Sequence, residues 1–201
     1  MAYILEAHGV CKYFGGLKAV EKVDMKIEEG RIFGIIGPNG AGKTTFFNIC
    51  AGVYRPTAGR ILFQGKDITG LPPETIARLG IARTFQNIQL FRYMTVLENV
   101  KIGFHIRTRS GFVSALLHDR RYREEEAFID AEAARVLEKV GLAAYRDTLA
   151  TNLPYGLQRK VEIARALALN PKLLLLDEPV AGMNPLETRE LSDFIIRLNR
   201  E

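Results

Sequence analysis

The chain has 201 residues, 47% of them hydrophobic, which suffices for one substantial core and excludes an intrinsically disordered composition. Its 28 basic and 23 acidic residues leave a net charge of +5, too mild an excess to point to nucleic acid as the partner. Cys11 and Cys50 have neither metal-like nor redox-like spacing, no secretory signal opens the chain and no apolar run reaches the ~20 residues of a membrane span, so a soluble protein of a reducing, cytoplasmic compartment is expected.

Taken in order, residues 3–10 read as a first strand and residues 20–27 as a second. Between them, residues 11–16 read as a turn carrying two adjacent aromatics, Tyr13 and Phe14. An aromatic placed before a nucleotide-binding core can stack on a base, although most strand-end aromatics only cover the core edge. Residues 31–36 read as a buried strand that runs into Gly37-Pro38-Asn39-Gly40-Ala41-Gly42-Lys43-Thr44-Thr45.

That stretch fits G-x-x-x-x-G-K-[ST], the pattern of a phosphate-binding loop. Its glycines allow backbone N–H groups to wrap around phosphates, and Lys43 has the reach for the β- and γ-phosphates. The Thr44 hydroxyl suits Mg²⁺, and the helix opening at Thr45 turns its positive end to the anion.

Further along, residues 60–63 suggest a short strand, and residues 73–79 a short helix ended by Gly80. Residues 81–85 suggest another apolar strand, and Gln86 at its end can offer its side-chain oxygen to Mg²⁺ or to a water on it. Thr95-Val96-Leu97-Glu98 is a capping box that starts a helix running to about Phe104. Residues 105–122 are basic, with His105, Arg107, Arg109, His118, Arg120 and Arg121, and read as a solvated face. Residues 123–140 carry Phe128, Ile129, Val136, Leu137 and Val140 at helical spacing, and Gly141 follows as an end signal.

Residues 153–160 lead into a strong helix over 161–168 that Asn170-Pro171 stops. Residues 173–176, four leucines, read as a fully buried strand ending in Asp177-Glu178-Pro179. In a parallel sheet such strand ends face the ligand crevice. There Asp177 can hold Mg²⁺ through water, opposite Thr44, and Glu178 can polarise an attacking water as general base. The strand and helix spacing implies an α/β fold with a mostly parallel sheet and an inserted helical lobe.

Together these pieces resemble the ATPase subunit of ATP-binding-cassette (ABC) transporters, over essentially the whole chain. The resemblance implies a P-loop NTPase of the ABC type with antiparallel N-terminal strands and an inserted α-helical subdomain. It implies one domain over residues 1–201, with 1–90 and 160–201 as nucleotide-binding core and about 91–159 as the helical subdomain. Residues 37–45 match Walker A, and residues 173–177 match Walker B. Glu178 matches the catalytic glutamate, and Gln86 the Q-loop glutamine. Phe14 most nearly matches the adenine-stacking aromatic, with Tyr13 second, and Val20 falls with the nucleotide-contacting residues. Residues 153–157, including Gly156, stand where the signature motif lies, directly before Ile163-Ala164-Arg165-Ala166-Leu167. Ala181-Gly182-Met183-Asn184 stands at the D-loop. Cofactors implied are ATP and Mg²⁺.

Within the family, Phe14-Gly15-Gly16-Leu17-Lys18-Ala19-Val20, Arg83-Thr84-Phe85-Gln86 and residues 90–99 are most similar to the ATPases of bacterial importers for branched-chain, hydrophobic amino acids. That implies transmembrane permease subunits, a second ABC ATPase paired head to tail, a substrate-binding protein, no nucleic acid, and a place on the cytoplasmic face of the inner membrane. Residues 90, 91, 93, 94 and 97 are the expected dock for the membrane subunits.

Three departures carry expectations. Pro154 replaces the signature serine and has neither hydroxyl nor N–H, so a weakened composite site is expected, held by the Gly156 and Leu157 N–H groups. Asn184 replaces the usual D-loop aspartate and removes a charge. His8, His105 and His118 all stand away from the position of the switch histidine, which the resemblance places beyond residue 201, so a C-terminally truncated chain that binds nucleotide better than it hydrolyses it is expected. Two other readings stay open: a soluble ABC ATPase acting on ribosomes or DNA, and an ATP-binding subunit with impaired hydrolysis.

Overall fold

The computed structural model describes residues 3–104 and 120–200; residues 105–119, most of the basic stretch, and the side chains as far as residue 122 lie outside that description. The chain divides into two compact units, Met1–Ile81 with Asp193–Glu201, and Ala82–Ser192.

The first unit holds a four-stranded sheet in the order β2-β1-β3-β4. Strands β1 (Tyr3–Phe14) and β2 (Leu17–Glu28) form an antiparallel hairpin in which Phe14 faces Leu17. The turn is therefore Gly15-Gly16 alone, with Gly15 in the left-handed region at φ 56°, as a two-residue hairpin turn requires. This corrects the expected turn over residues 11–16: Lys12 pairs with Val20 and Tyr13 with Lys18, so the ladder carries the strand through both aromatics. Strand β3 (Ala58–Phe63) lies antiparallel to β1 on its other side, with Ala7 opposite Ile61, and β4 (Lys66–Asp67) closes the edge.

The inward side chains of these strands, Leu5, Ala7, Val10, Ile61 and Phe63, form a core with Phe46 and Ile49 of helix α1 (Lys43–Cys50). Helix α2 (Pro73–Leu79) has the expected bounds, and Gly80 ends it at φ 109°. From the chain's end, Phe194 is buried, and the Asn199 amide donates to the Gly30 carbonyl at 3.1 Å.

Residues 31–36 differ from expectation. They form no strand, and Ile32, Phe33 and Ile36 are 56%, 51% and 97% exposed. Composition makes a stretch apolar, but a strand also needs a neighbour to complete its ladder, and among the described residues none pairs with this one.

Strand β5 (Ile81–Arg83), which belongs to the second unit from Ala82 on, pairs with β6 (Leu173–Leu175). The Thr84 N–H extends the pairing to the Leu175 carbonyl at 3.0 Å. Strand β5 ends short of the expected Phe85 because side chains, described below, take the next backbone groups. Leu173 and Leu174 are half-buried rather than fully buried; Leu175 is buried.

Three helices build most of the remaining core: α3 (Val96–Phe104), α4 (Arg120–Lys139) and α5 (Tyr155–Leu167). The capping box before α3 forms, with the Thr95 N–H donating to Glu98 Oε2 at 2.7 Å and the Glu98 N–H to Thr95 Oγ1 at 3.2 Å. On α4 the buried stripe is Ile129, Ala133 and Leu137, continued by Val140, while Phe128 is 56% exposed. The i, i+4 spacing of the stripe leaves Phe128 off the packed face. Helices α3 and α5 approach so closely at Gly103 that a Cβ there would stand 2.4 Å from the Arg165 carbonyl oxygen. The last helix, α6 (Pro185–Arg200), contributes residues to both units.

Candidate nucleotide site

The phosphate-loop pattern folds as its glycines dictate. Gly40 and Gly42 are left-handed at φ 82° and 85°, and Gly42 is the N-cap of α1. A Cβ on Gly42 would stand 2.1 Å from the Ala19 carbonyl oxygen and 3.3 Å from Val20 Cγ2, so only glycine fits there. Val20 is buried at 5% exposure beneath the loop, where it supports Gly42. The Lys43 ammonium donates to the Gly37 carbonyl at 2.7 Å and the Pro38 carbonyl at 3.0 Å, folded across the loop of which Asn39 and Ala41 are part. Thr44 and Thr45 occupy the first turn of α1, whose N–H groups precede the helical ladder.

On the same unit, Phe14 is 41% exposed and meets the Tyr54 ring edge-on at 5.3 Å, with the Lys12 ammonium 5.0 Å from its centroid. Tyr13 pairs with Lys18 in the ladder. Its phenol is engaged by Cys11, and that hydrogen bond raises its pKa above the usual range.

The second unit gathers the acids and Gln86. Asp177 is 1% exposed and pairs with the Arg83 guanidinium at 3.1 Å. Glu178 follows with a left-handed backbone, φ 46°, and its Oε2 accepts from the Gln86 amide Nε2 at 3.2 Å. The backbone at Phe85 and Gln86 is held by two buried side chains of α5, Arg159 and Glu162.

Pro154 is the N-cap of α5 with no side-chain cap. The Leu157 N–H donates to the Pro154 carbonyl at 3.0 Å, so it is committed within the helix, contrary to expectation. The Gly156 N–H precedes the ladder. Asn184 caps α6: its Oδ1 accepts from the Leu186 and Glu187 N–H groups at 2.9 and 3.0 Å, and its own N–H donates to Glu187 Oε2 at 3.0 Å. The side-chain oxygen that asparagine shares with aspartate is what the position uses.

A groove on this unit is lined by Ile88, Leu90, Arg92, Tyr93, Leu149 and Gln158, with Tyr93 95% exposed. Its rim is fixed by Asn99, fully buried, which accepts from the Phe91 N–H at 2.9 Å and donates to the Phe91, Met94 and Thr95 carbonyls. Sequence reading missed Asn99 and the Arg159–Glu162 pair. The signal for both was a polar residue on an otherwise apolar helical face.

The family model described as ABC transporter matches residues 20–181, which include the phosphate loop, Gln86 and both acids. The chain belongs to the ABC transporter family. Members are ATP-binding proteins and, in general, ATPases, and the fold is the ABC type of P-loop ATPase. Curated relatives include the high-affinity branched-chain amino acid transport ATP-binding protein LivG of Salmonella typhimurium, 45% identical over 97% of this chain and 76% of its own length. BraF of Pseudomonas aeruginosa, of the same description, is 45% identical over 98% of this chain and 78% of its own length. Among solved structures, the ADP conformation of MJ1267, an ATP-binding cassette of an ABC transporter, matches with TM-score 0.86 and 36% identity, covering all of this chain and 78% of the other. Among the described residues of this family member, no helix is long and apolar enough to cross a membrane.

Proposed function

We propose that this chain is the ATP-binding and ATP-hydrolysing subunit of an importer for branched-chain, hydrophobic amino acids, working from the cytoplasmic face of the inner membrane. The observation that carries this reading is the 45% identity, over 97% of the chain, to an ATP-binding protein whose name specifies that transport. Its partners are transmembrane permease subunits, a second ABC ATPase in head-to-tail pairing, and a substrate-binding protein.

In this reading the backbone N–H groups of residues 37–45 and the Lys43 ammonium hold the phosphates, and Phe14 stacks on the base. Glu178 is the general base that takes a proton from the attacking water, and Gln86 orients it. Thr44, Gln86 and Asp177 supply a hydroxyl, an amide carbonyl and a carboxylate, the hard oxygen donors that Mg²⁺ prefers. One carboxylate suits Mg²⁺, which fills the rest of its coordination from phosphate and water. Bound there, the ion would offset charge on the phosphates. The Gly156 N–H at the start of α5 serves the partner subunit's ATP, and the groove at Leu90 and Tyr93 receives the membrane subunits.

The test is to purify the full-length protein from its own membranes and identify its companions by mass spectrometry. Two multi-span proteins and a second ATPase are expected. Ribosomes or DNA with no membrane protein would overturn the transport reading and leave the nucleotide chemistry standing.

A further inference from the structure

Arg159 and Glu162 are the most deeply buried charged pair among the described residues, at 0% and 2% exposure, on a helix whose neighbouring residues Val161, Ile163 and Ala164 are equally buried and apolar. Folding alone does not call for such a pair, since desolvation offsets its attraction and apolar replacements of similar volume are often neutral or stabilising. What the pair does is hold backbone. Arg159 Nη1 donates to the Phe85 carbonyl at 2.7 Å, and Nη2 donates to the Gln86 carbonyl at 2.8 Å. Glu162 Oε2 accepts from Arg159 Nη1 at 2.7 Å, and Oε1 accepts from the Phe85 N–H at 3.2 Å.

Three backbone groups of two adjacent residues, the N–H and C=O of Phe85 and the C=O of Gln86, are thus gripped from α5 just where the β5 ladder has ended. The Gln86 side chain, exposed and otherwise mobile in its rotamers, leaves from this clamped backbone and meets Glu178 at 3.2 Å. A rigid, planar fork spanning two carbonyls fixes both position and direction, which a single point charge does not.

We propose that Arg159 and Glu162 are positioning residues for hydrolysis: they fix the Gln86 backbone so that its amide meets the Glu178 carboxylate. The proposal rests on the ATPase reading above. It also gives α5, which begins at Pro154–Gly156, a mechanical link to the base within one chain.

The test uses the full-length protein assembled with its partner subunits and compares wild type, the double variant Arg159→Met/Glu162→Leu, Gln86→Ala, and the triple variant. The double variant is expected to keep its KM for ATP within twofold, while kcat falls about tenfold to a hundredfold, the scale of an ångström's misplacement. In the Gln86→Ala background the same replacement should lower kcat no further, because the pair acts through Gln86; a merely structural role would give additive losses. Protection of the Phe85 amide against hydrogen exchange should fall at least about tenfold in the double variant, a readout independent of turnover. An active wild type with an equally active double variant, or additive losses, overturns the proposal alone. A wild-type assembly that hydrolyses no ATP overturns the ATPase reading and this proposal with it.

Discussion

The Gln86 amide nitrogen stands 3.2 Å from the Glu178 carboxylate, and Glu178 holds a left-handed backbone that β-carbon residues seldom adopt. The carboxylate is thus addressed by a donor from a separate loop, as a base that must keep one orientation would be. Glu178→Gln keeps the side chain's shape and removes its basicity. ATP turnover of the assembled protein should fall by about 10²–10⁴-fold, measured as phosphate release, with ATP binding unchanged. Turnover within a few-fold of wild type would remove Glu178 from the role of base.

Helix α5 starts without a side-chain cap because Pro154 has none to offer. Pro154→Ser supplies a hydroxyl for an N–H of the first turn, so a gain of about 0.5–2 kcal/mol in stability is expected by urea unfolding. In the proposed head-to-tail pairing the same hydroxyl adds a donor for the partner subunit's phosphate, and ATP turnover of the assembled protein should rise. Unchanged turnover would sink the idea that proline weakens this site.

Asn99 fills its buried position with one acceptor bond and three donor bonds to residues 91–95. Asn99→Ala leaves the Phe91 N–H without its partner and takes one of two donors from the Phe91, Met94 and Thr95 carbonyls, and should cost about 1–3 kcal/mol. That amounts to a fall in Tm of roughly 2–4 °C for each kcal/mol. Asn99→Asp should be worse than alanine, because a carboxylate would face the Phe91, Met94 and Thr95 carbonyls. Thermal unfolding of the three proteins decides the order.

Tyr93 is 95% exposed at the edge of the groove, and no packing role among the described residues accounts for so large an apolar ring there. Tyr93→Ala and Arg92→Glu should leave ATP binding and Tm within error of wild type. If the groove receives the membrane subunits, their binding should weaken by about 2 kcal/mol or more, the range of an interfacial anchor, and transport in vesicles should fall with it. Full transport by both variants would place the dock elsewhere.

The Thr95 backbone N–H holds the Glu98 carboxyl below the usual carboxylate range, with the Thr95 hydroxyl adding to the effect. A depressed folded-state value means that this contribution to stability is complete above the ordinary glutamate range and is lost as the pH falls through the lowered value. Glu98→Gln should therefore lower Tm at neutral pH, and the gap to wild type should close on acidification below about pH 4. A gap independent of pH would show that the carboxylate charge plays no part in the cap.

Local patterns were legible in the sequence because their physics is local. The glycines of the phosphate loop, the Thr95–Glu98 box and the helix between Pro73 and Gly80 each depend on residues a few positions apart. Asn184-Pro185-Leu186-Glu187 is a cap of the same kind, and reading position 184 only for its missing charge hid it. The grip of Arg159 on Phe85 spans 74 positions, and nothing in the helix names its target. Likewise, residues 31–36 have the composition of a strand, and composition says nothing of a partner. The Gln86–Glu178 contact lies between these cases: both residues stood out singly, and only the fold puts them together.

The open stretch at residues 31–36 has a consequence for how the chain meets other chains. A solvent-facing run of Ile32, Phe33 and Ile36 with an unpaired backbone is the kind of segment that other chains add to as a strand. Substitutions in these six residues that soften the apolar run should favour solubility, at the risk of misplacing the glycines that follow.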